Sequence, residues 1–249
     1  MTIQLRLLGS TELLAPDGGR IDAVLAQPKR LALLAFLAVD KPVRLHRRDA
    51  LLLLFWPDAD EAHARGALSQ ALAFLRRQLS VGVIVTRGTE EVGLDHALLA
   101  TDVQCFEAAA DAGEHARALK HYAGGLLEGF HVSGCRDIDD WLTAERERLR
   151  ERAVRAAKAL SRLAEQSDDK STAVVAARHA LLLAPLDESA AVRVLAALDL
   201  AGRPALALQE YEAFRRRLHE QLGVAPSAEL QRRVESIRDR STPGSVAPT

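Results

Sequence analysis

Between Glu61 and Leu79 the sequence carries side chains suited to recognising nucleic acid rather than to breaking bonds. At about 100° per residue, Leu72, Leu75 and Leu79 all fall within about 40° of Leu68, and Ala64 lies beside them. This apolar stripe predicts a core-facing side. The opposite side holds His63, Gly66, Gln70, Ala73 and Arg77, flanked by Arg65, Ser69 and Arg76. Gln can pair bidentately with adenine, Arg with guanine, and Ser with a phosphate or a base edge. Gly66 and Ala73 would allow a duplex to approach closely. A lone amphipathic helix with a solvated face has the same pattern, so the surrounding elements decide its meaning.

Charge placement favours the same region. The whole chain carries a formal net charge of −1, which excludes a uniformly basic coat but not a local patch. Residues 41–87 hold the bases Lys41, Arg44, Arg47, Arg48, Arg65, Arg76, Arg77 and Arg87 against the acids Asp49, Asp58, Asp60 and Glu61. A helix-turn-helix protein takes phosphates with bases placed this way, and such binding weakens with salt.

Other candidate chemistries fare worse. Cys105, His121, His131 and Cys135 match no metal-ligand spacing. Asp137, Asp139 and Asp140 could form an acid–base cluster, but they stand where a long helix begins and suit its positive end. No Ser, Cys or His occupies a nucleophile motif, and no G-x-x-x-x-G-K-[ST] loop occurs. The expectation is a non-enzymatic chain without metal or cofactor. Two cysteines cannot build a disulfide framework and read as small hydrophobes in a reducing compartment. MTIQLRLLGSTE lacks the pattern of a secretory signal, and runs such as Leu31 to Val39 are too short to span a bilayer. A cytoplasmic protein without membrane contact is expected.

The elements that would position the candidate helix read as follows. Ile3 to Leu8 alternates like a half-buried strand, Glu12 to Ala15 follows, and Pro16-Asp17-Gly18-Gly19 turns the chain toward Ile21, which predicts a small antiparallel sheet. Helices are predicted from Pro28 to Val39 and from Arg47 to Phe55, with a possible short strand over Val43 to Leu45. Asp58 and Glu61 have capping-box spacing ahead of the candidate helix. Val83 to Thr86 and Val92 to Leu94 flank a glycine-containing loop and predict a hairpin. Sheet, three helices and hairpin is the order of a winged helix-turn-helix, whose third helix enters the major groove.

From Asp102 onward no strand is predicted. Helices are expected over 103–112, 114–122, 137–166, 171–184, 187–201, 203–222 and 227–238. Apolar residues make up 48% of the chain and aromatics only 4%, which suits helices packed through small aliphatic side chains. Ala173, Ala177, Ala180 and Pro185 have tetratricopeptide-like spacing, and Ala207, Tyr211 and Phe214 repeat it, with a partial echo at Ala118 and Tyr122. The expected architecture is an α+β winged helix-turn-helix domain over 1–100, then an all-α TPR-like helical repeat domain over 101–240. Residues 241–249 read as a disordered tail.

The stretch LFWPDADEAHARGALSQALAFLRRQL resembles the recognition segment of SARP-type transcription regulators. DVQCFEAAADAGEHARALKHYAGGLLEGF, DWLTAERERLR, APLDESAAVRVLAALDLAGRPALALQEYEAFRRRLHEQLGVAPS and ELQRRVESI resemble the bacterial transcriptional activator domain (BTAD) that follows in those regulators. The resemblance covers about residues 3 to 240. It implies a response-regulator-like winged helix that binds double-stranded DNA. It also implies direct-repeat sites bound by side-by-side homodimers, and contact with RNA polymerase to activate transcription. By matching positions, Trp56 would brace the second helix near the DNA backbone. His63, Arg65, Ser69, Gln70, Arg76 and Arg77 would face the groove, and Thr86 and Arg87 would lie on the wing. Charge placement, rather than the resemblance, assigns phosphates to Arg44, Arg47 and Arg48. A protein-interaction adaptor, whose winged helix has lost DNA affinity, is the competing expectation.

Overall fold

Alternation of Ile3 and Leu5 with Gln4 and Arg6 buries one side of β1 (Ile3–Arg6) and leaves the other in water. The structure, a computed structural model, describes residues 2–40 and 45–241. β1 pairs antiparallel with β2 (Glu12–Leu14), Leu5 opposite Leu13, and parallel with β6 (Leu99–Thr101). The first sheet is therefore mixed, in the order β2-β1-β6, rather than purely antiparallel as expected. The chain returning from Pro16-Asp17-Gly18-Gly19 makes only a single bridge, Arg20 to Leu14. It then enters a one-turn helix, α1 (Asp22–Leu25), where the sequence suggested a strand near Ile21.

α2 (Pro28–Val39) starts with Pro28 where no intrahelical N–H is needed. Every residue from Leu31 to Val39 is buried, so this helix is the centre of its domain. β3 (His46–Arg47) leads into α3 (Arg48–Phe55), and α4 (Glu61–Gln78) follows. β4 (Ile84–Arg87) and β5 (Glu91–Leu94) form the hairpin, with Thr86 opposite Val92 and Arg87 opposite Glu91. β3 adds to β5, which gives a second sheet in the order β3-β5-β4. Of the strand expected over Val43 to Leu45, Val43 and Arg44 fall outside the described residues; Leu45 precedes the pairing, which begins at His46, buried opposite Val92.

Helices then take over: α5 (Asp102–Asp111), α6 (His115–His121), α7 (Arg136–Gln166), α8 (Lys170–Leu183), α9 (Glu188–Leu200), α10 (Pro204–Leu222) and α11 (Ala228–Ser241). Their starts have visible causes. Thr101 and Gln104 form a reciprocal capping box on α5. Asp169 and Asp187 accept backbone N–H groups at the starts of α8 and α9, and α10 closes on Gly223 in the left-handed conformation.

The chain divides into two compact units, Met1–Leu149 and Arg150–Thr249. α5 and α6, which the sequence reading grouped with the helical domain, belong to the first unit by compactness. The reason is local: β6 runs directly into α5, and the Asp102 carboxylate accepts the N–H groups of Leu7 and Leu8 at 2.9 Å. Burial raises the Asp102 pKa despite those bonds. In the same unit the Arg146 guanidinium donates to the carbonyls of Leu126, Leu127 and Phe130 at 2.6–2.8 Å, which fixes the turn where Leu127 has a positive φ of 44°. In the second unit α8 packs on α9, α9 on α10, and α11 on both α9 and α10. The repeat positions Ala173, Ala177, Ala180, Ala207, Tyr211 and Phe214 are all buried, where small residues allow close helix approach and the aromatics fill the next layer. Ser241, expected to open the tail, ends α11, and the rest of the expected tail, 242–249, falls outside the described residues.

Candidate nucleic-acid interface

α4 is placed by its apolar stripe. Ala64, Leu68, Leu72, Leu75 and Leu79 are all at most 5% exposed. Its start differs from the sequence reading: Asp60, not Asp58, is the N-cap, and its carboxylate accepts the His63 N–H at 3.0 Å. Asp58 is consumed by the turn in which the Ala59 N–H reaches the Trp56 carbonyl at 3.2 Å. The His63 ring also bonds the Asp60 carboxylate. The His63 N–H and then the ring hold that carboxyl below its ordinary range.

With the stripe buried, His63, Arg65, Gly66, Ser69, Gln70, Ala73, Arg76 and Arg77 are all exposed. The face anticipated from the sequence is therefore assembled on one side of one helix. Ser69, Gln70, Arg76 and Arg77 have no hydrogen-bond or ion-pair partner among the described residues and are available to a ligand. Arg65 is less free, because its guanidinium is held by Glu61 at 2.9 Å and by Asp49 of α3 at 3.1 Å. Arg76 and Arg77 also stand in the last turn of α4, where positive charge offsets the helix dipole.

The remaining candidates lie around this face with different degrees of freedom. Arg47 is exposed and 3.6 Å from Asp49. Arg48 is half-buried; its backbone N–H bonds the Glu90 carbonyl at 2.8 Å, and its Nε finds no acceptor. Thr86 and Arg87 are exposed on β4, and Arg87 is 3.4 Å from Glu91. Arg44 falls outside the described residues. Trp56 caps the end of α3, half-buried, with its ring 5.9 Å from that of Phe55.

Two bases that the sequence reading passed over belong beside this set. Lys29 Nζ sits 5.5 Å from the Trp56 ring centroid and donates to the Phe55 carbonyl at 2.9 Å. Arg30 lies over the Phe74 ring at 4.0 Å. Both line a groove with Trp56, Ala67, Gln70 and His131. The signal was a basic pair directly after Pro28, at the start of a helix, where positive side chains and backbone N–H groups favour anions together. Among the described residues no group of three or more His, Cys, Asp or Glu is placed to hold a metal ion, and no helix is long and apolar enough to cross a membrane.

Residues 94–238 match the bacterial transcriptional activator domain, so the chain belongs to that family. Its fold is similar to that of a solved structure of EmbR from Mycobacterium tuberculosis, in complex with a low affinity phosphopeptide. The TM-score is 0.68 at 20% identity, and the match covers 97% of this chain and 66% of EmbR's, just under two thirds of that length. No curated protein matches the chain. A winged helix followed by a helical activator domain places the chain among SARP-type transcription regulators, a class defined by regulation rather than by catalysis.

Proposed function

We propose that this regulator binds double-stranded DNA sequence-specifically and activates transcription. The observation that carries the reading is the exposed face of α4, on which Gln70 and Arg77 stand unpaired among the described residues opposite the buried leucine stripe. On this reading Gln70 and Arg77 meet base edges in the major groove, and Ser69 and Arg76 meet base edges or phosphates. Arg44, Arg47, Arg48, Lys29 and Arg30 serve phosphates, with Trp56 bracing the end of α3. His63 stands at the N-terminal end of the reading helix, and Thr86 and Arg87 lie on the wing. Arg65 joins a phosphate by exchanging its carboxylates for it, at little cost because ion pairs in full contact with water are weak. Pairs of copies bind direct repeats side by side, the activator domain contacts RNA polymerase, and the protein works in the cytoplasm.

Selection of genomic fragments with purified protein tests this. Enrichment of a direct repeat, with affinity falling steeply in salt, is the expected result. Failure of folded protein to enrich any site would overturn it. The adaptor reading draws on two observations, the side-chain-poor positions Gly66 and Ala73 on the reading face and the neutralisation of Arg65 by Asp49 and Glu61. In that case the chain would retain no promoter DNA at physiological salt, and a pull-down would recover a protein partner.

A further inference from the structure

The second unit contains a cleft between α7, α9 and α11 that the DNA-binding reading does not use. Its wall carries Lys158 and Arg162 from α7, Arg193 from α9, and Arg232 and Arg233 from α11, against the single acid Glu229. Some of these cations already have partners. Lys158 pairs with Asp187, Arg193 with Glu165 at 2.6 Å, and Arg233 lies 3.7 Å from Asp199. Arg162 and Arg232 are exposed and have no partner among the described residues. Arg193 and Arg233 each keep an Nε–H without an acceptor, so the donor capacity of the cleft is not exhausted.

The floor is apolar. Val192, Ala196 and Leu200 follow one another at i, i+4 and i+8 along α9, and Leu200 is 54% exposed. At 1.5 Å per residue this ridge is about 12 Å long, the span of about four extended residues. A phosphate group or a DNA backbone has no use for an apolar ridge. A peptide that interleaves carboxylates with apolar side chains uses both features, since Arg forks bind carboxylates bidentately while the ridge removes Leu-sized groups from water.

We propose that the α7–α9–α11 cleft binds an acidic, apolar-containing peptide segment of a partner protein, with Arg162 and Arg232 clasping its carboxylates and Val192, Ala196 and Leu200 holding its apolar side chains. The proposal is independent of DNA binding by the first unit.

The test pans a phage-displayed random peptide library on the full-length chain and measures enriched peptides by fluorescence anisotropy. The expected consensus interleaves Glu or Asp with Leu-like residues. Arg162→Glu/Arg232→Glu should weaken the enriched peptide at least tenfold. Leu200→Ser should weaken it severalfold, with both variants keeping the wild-type circular dichroism spectrum and Tm. Absence of a consensus, or one that binds the charge-reversed variant equally well, would overturn the proposal. So would displacement of the peptide by inorganic phosphate or by duplex DNA lacking the selected repeat, because the cleft would then be a general anion site.

Discussion

The start of α4 rests on one carboxylate: Asp60 accepts the His63 N–H at 3.0 Å, while Asp58 lies in the turn Trp56–Ala59. Asp60→Ala should therefore lower the urea midpoint measurably, whereas Asp58→Ala should leave it near the wild-type value. The outward direction of Gln70, Ser69, Arg76 and Arg77 was legible because a helix converts residue number into angle, and the leucine stripe supplies the origin. The tether on Arg65 was not legible, because Asp49 lies on another helix. Nor were Lys29 and Arg30, whose place beside Gln70 depends on how α2 and α4 pack. His179 supplies a pH prediction. Burial on α8 lowers its pKa from 6.5, so the folded state resists protonation that the unfolded state accepts. Stability should then fall as pH drops through 6.5 toward that lowered value. His179→Gln should flatten this limb in urea titrations across pH, and an unchanged slope would remove His179 as its source.

Among the elements, every helix but the one-turn α1 was legible to within about three residues, because periodicity, caps and glycine or proline breakers agree: α2 begins at Pro28 and α10 ends before Gly223. Strand β6 was not. Leu99-Ala100-Thr101 is too short to show alternation, and its parallel partner β1 lies almost a whole domain away in sequence. The same end of the first sheet holds a close backbone crossing. The Gly9 N–H bonds the Gly125 carbonyl at 3.0 Å, and Gly9 itself has a φ of +86°. A Cβ on Gly124 would lie 2.9 Å from the Gly9 Cα, a backbone atom that cannot swing aside, and 3.0 Å from the Glu128 carboxylate, which can. Gly124→Ala should thus destabilise by about 1–3 kcal/mol in thermal melts. Gly125→Ala, whose Cβ would approach only the Glu128 side chain at 3.9 Å, should lose far less.

For the whole molecule, composition and order of elements foretold a winged helix followed by irregular helical repeats, and the family match and the EmbR-like fold agree. The compactness of Met1–Leu149 was hidden from the sequence, since it depends on Asp102 and Arg146 gathering backbone groups from distant segments. A net charge of −1 makes association depend on the local patch rather than on the global field. The logarithm of DNA affinity should accordingly fall linearly with that of salt concentration, with a slope of about −0.9 for each phosphate contacted. Arg47→Ala should reduce that slope by about one contact while leaving sequence preference intact.

Whether the outward face of α4 reads DNA is decided by titrating the selected genomic fragment with wild-type protein and with Gln70→Ala/Arg77→Ala at fixed salt. Each bidentate base contact accounts for about 1–3 kcal/mol of discrimination. The double variant should therefore lose roughly thirtyfold or more in specific affinity, while its Tm and nonspecific binding stay close to wild type. Equal affinity of the two proteins for the selected fragment would exclude this face of α4 as the reading surface.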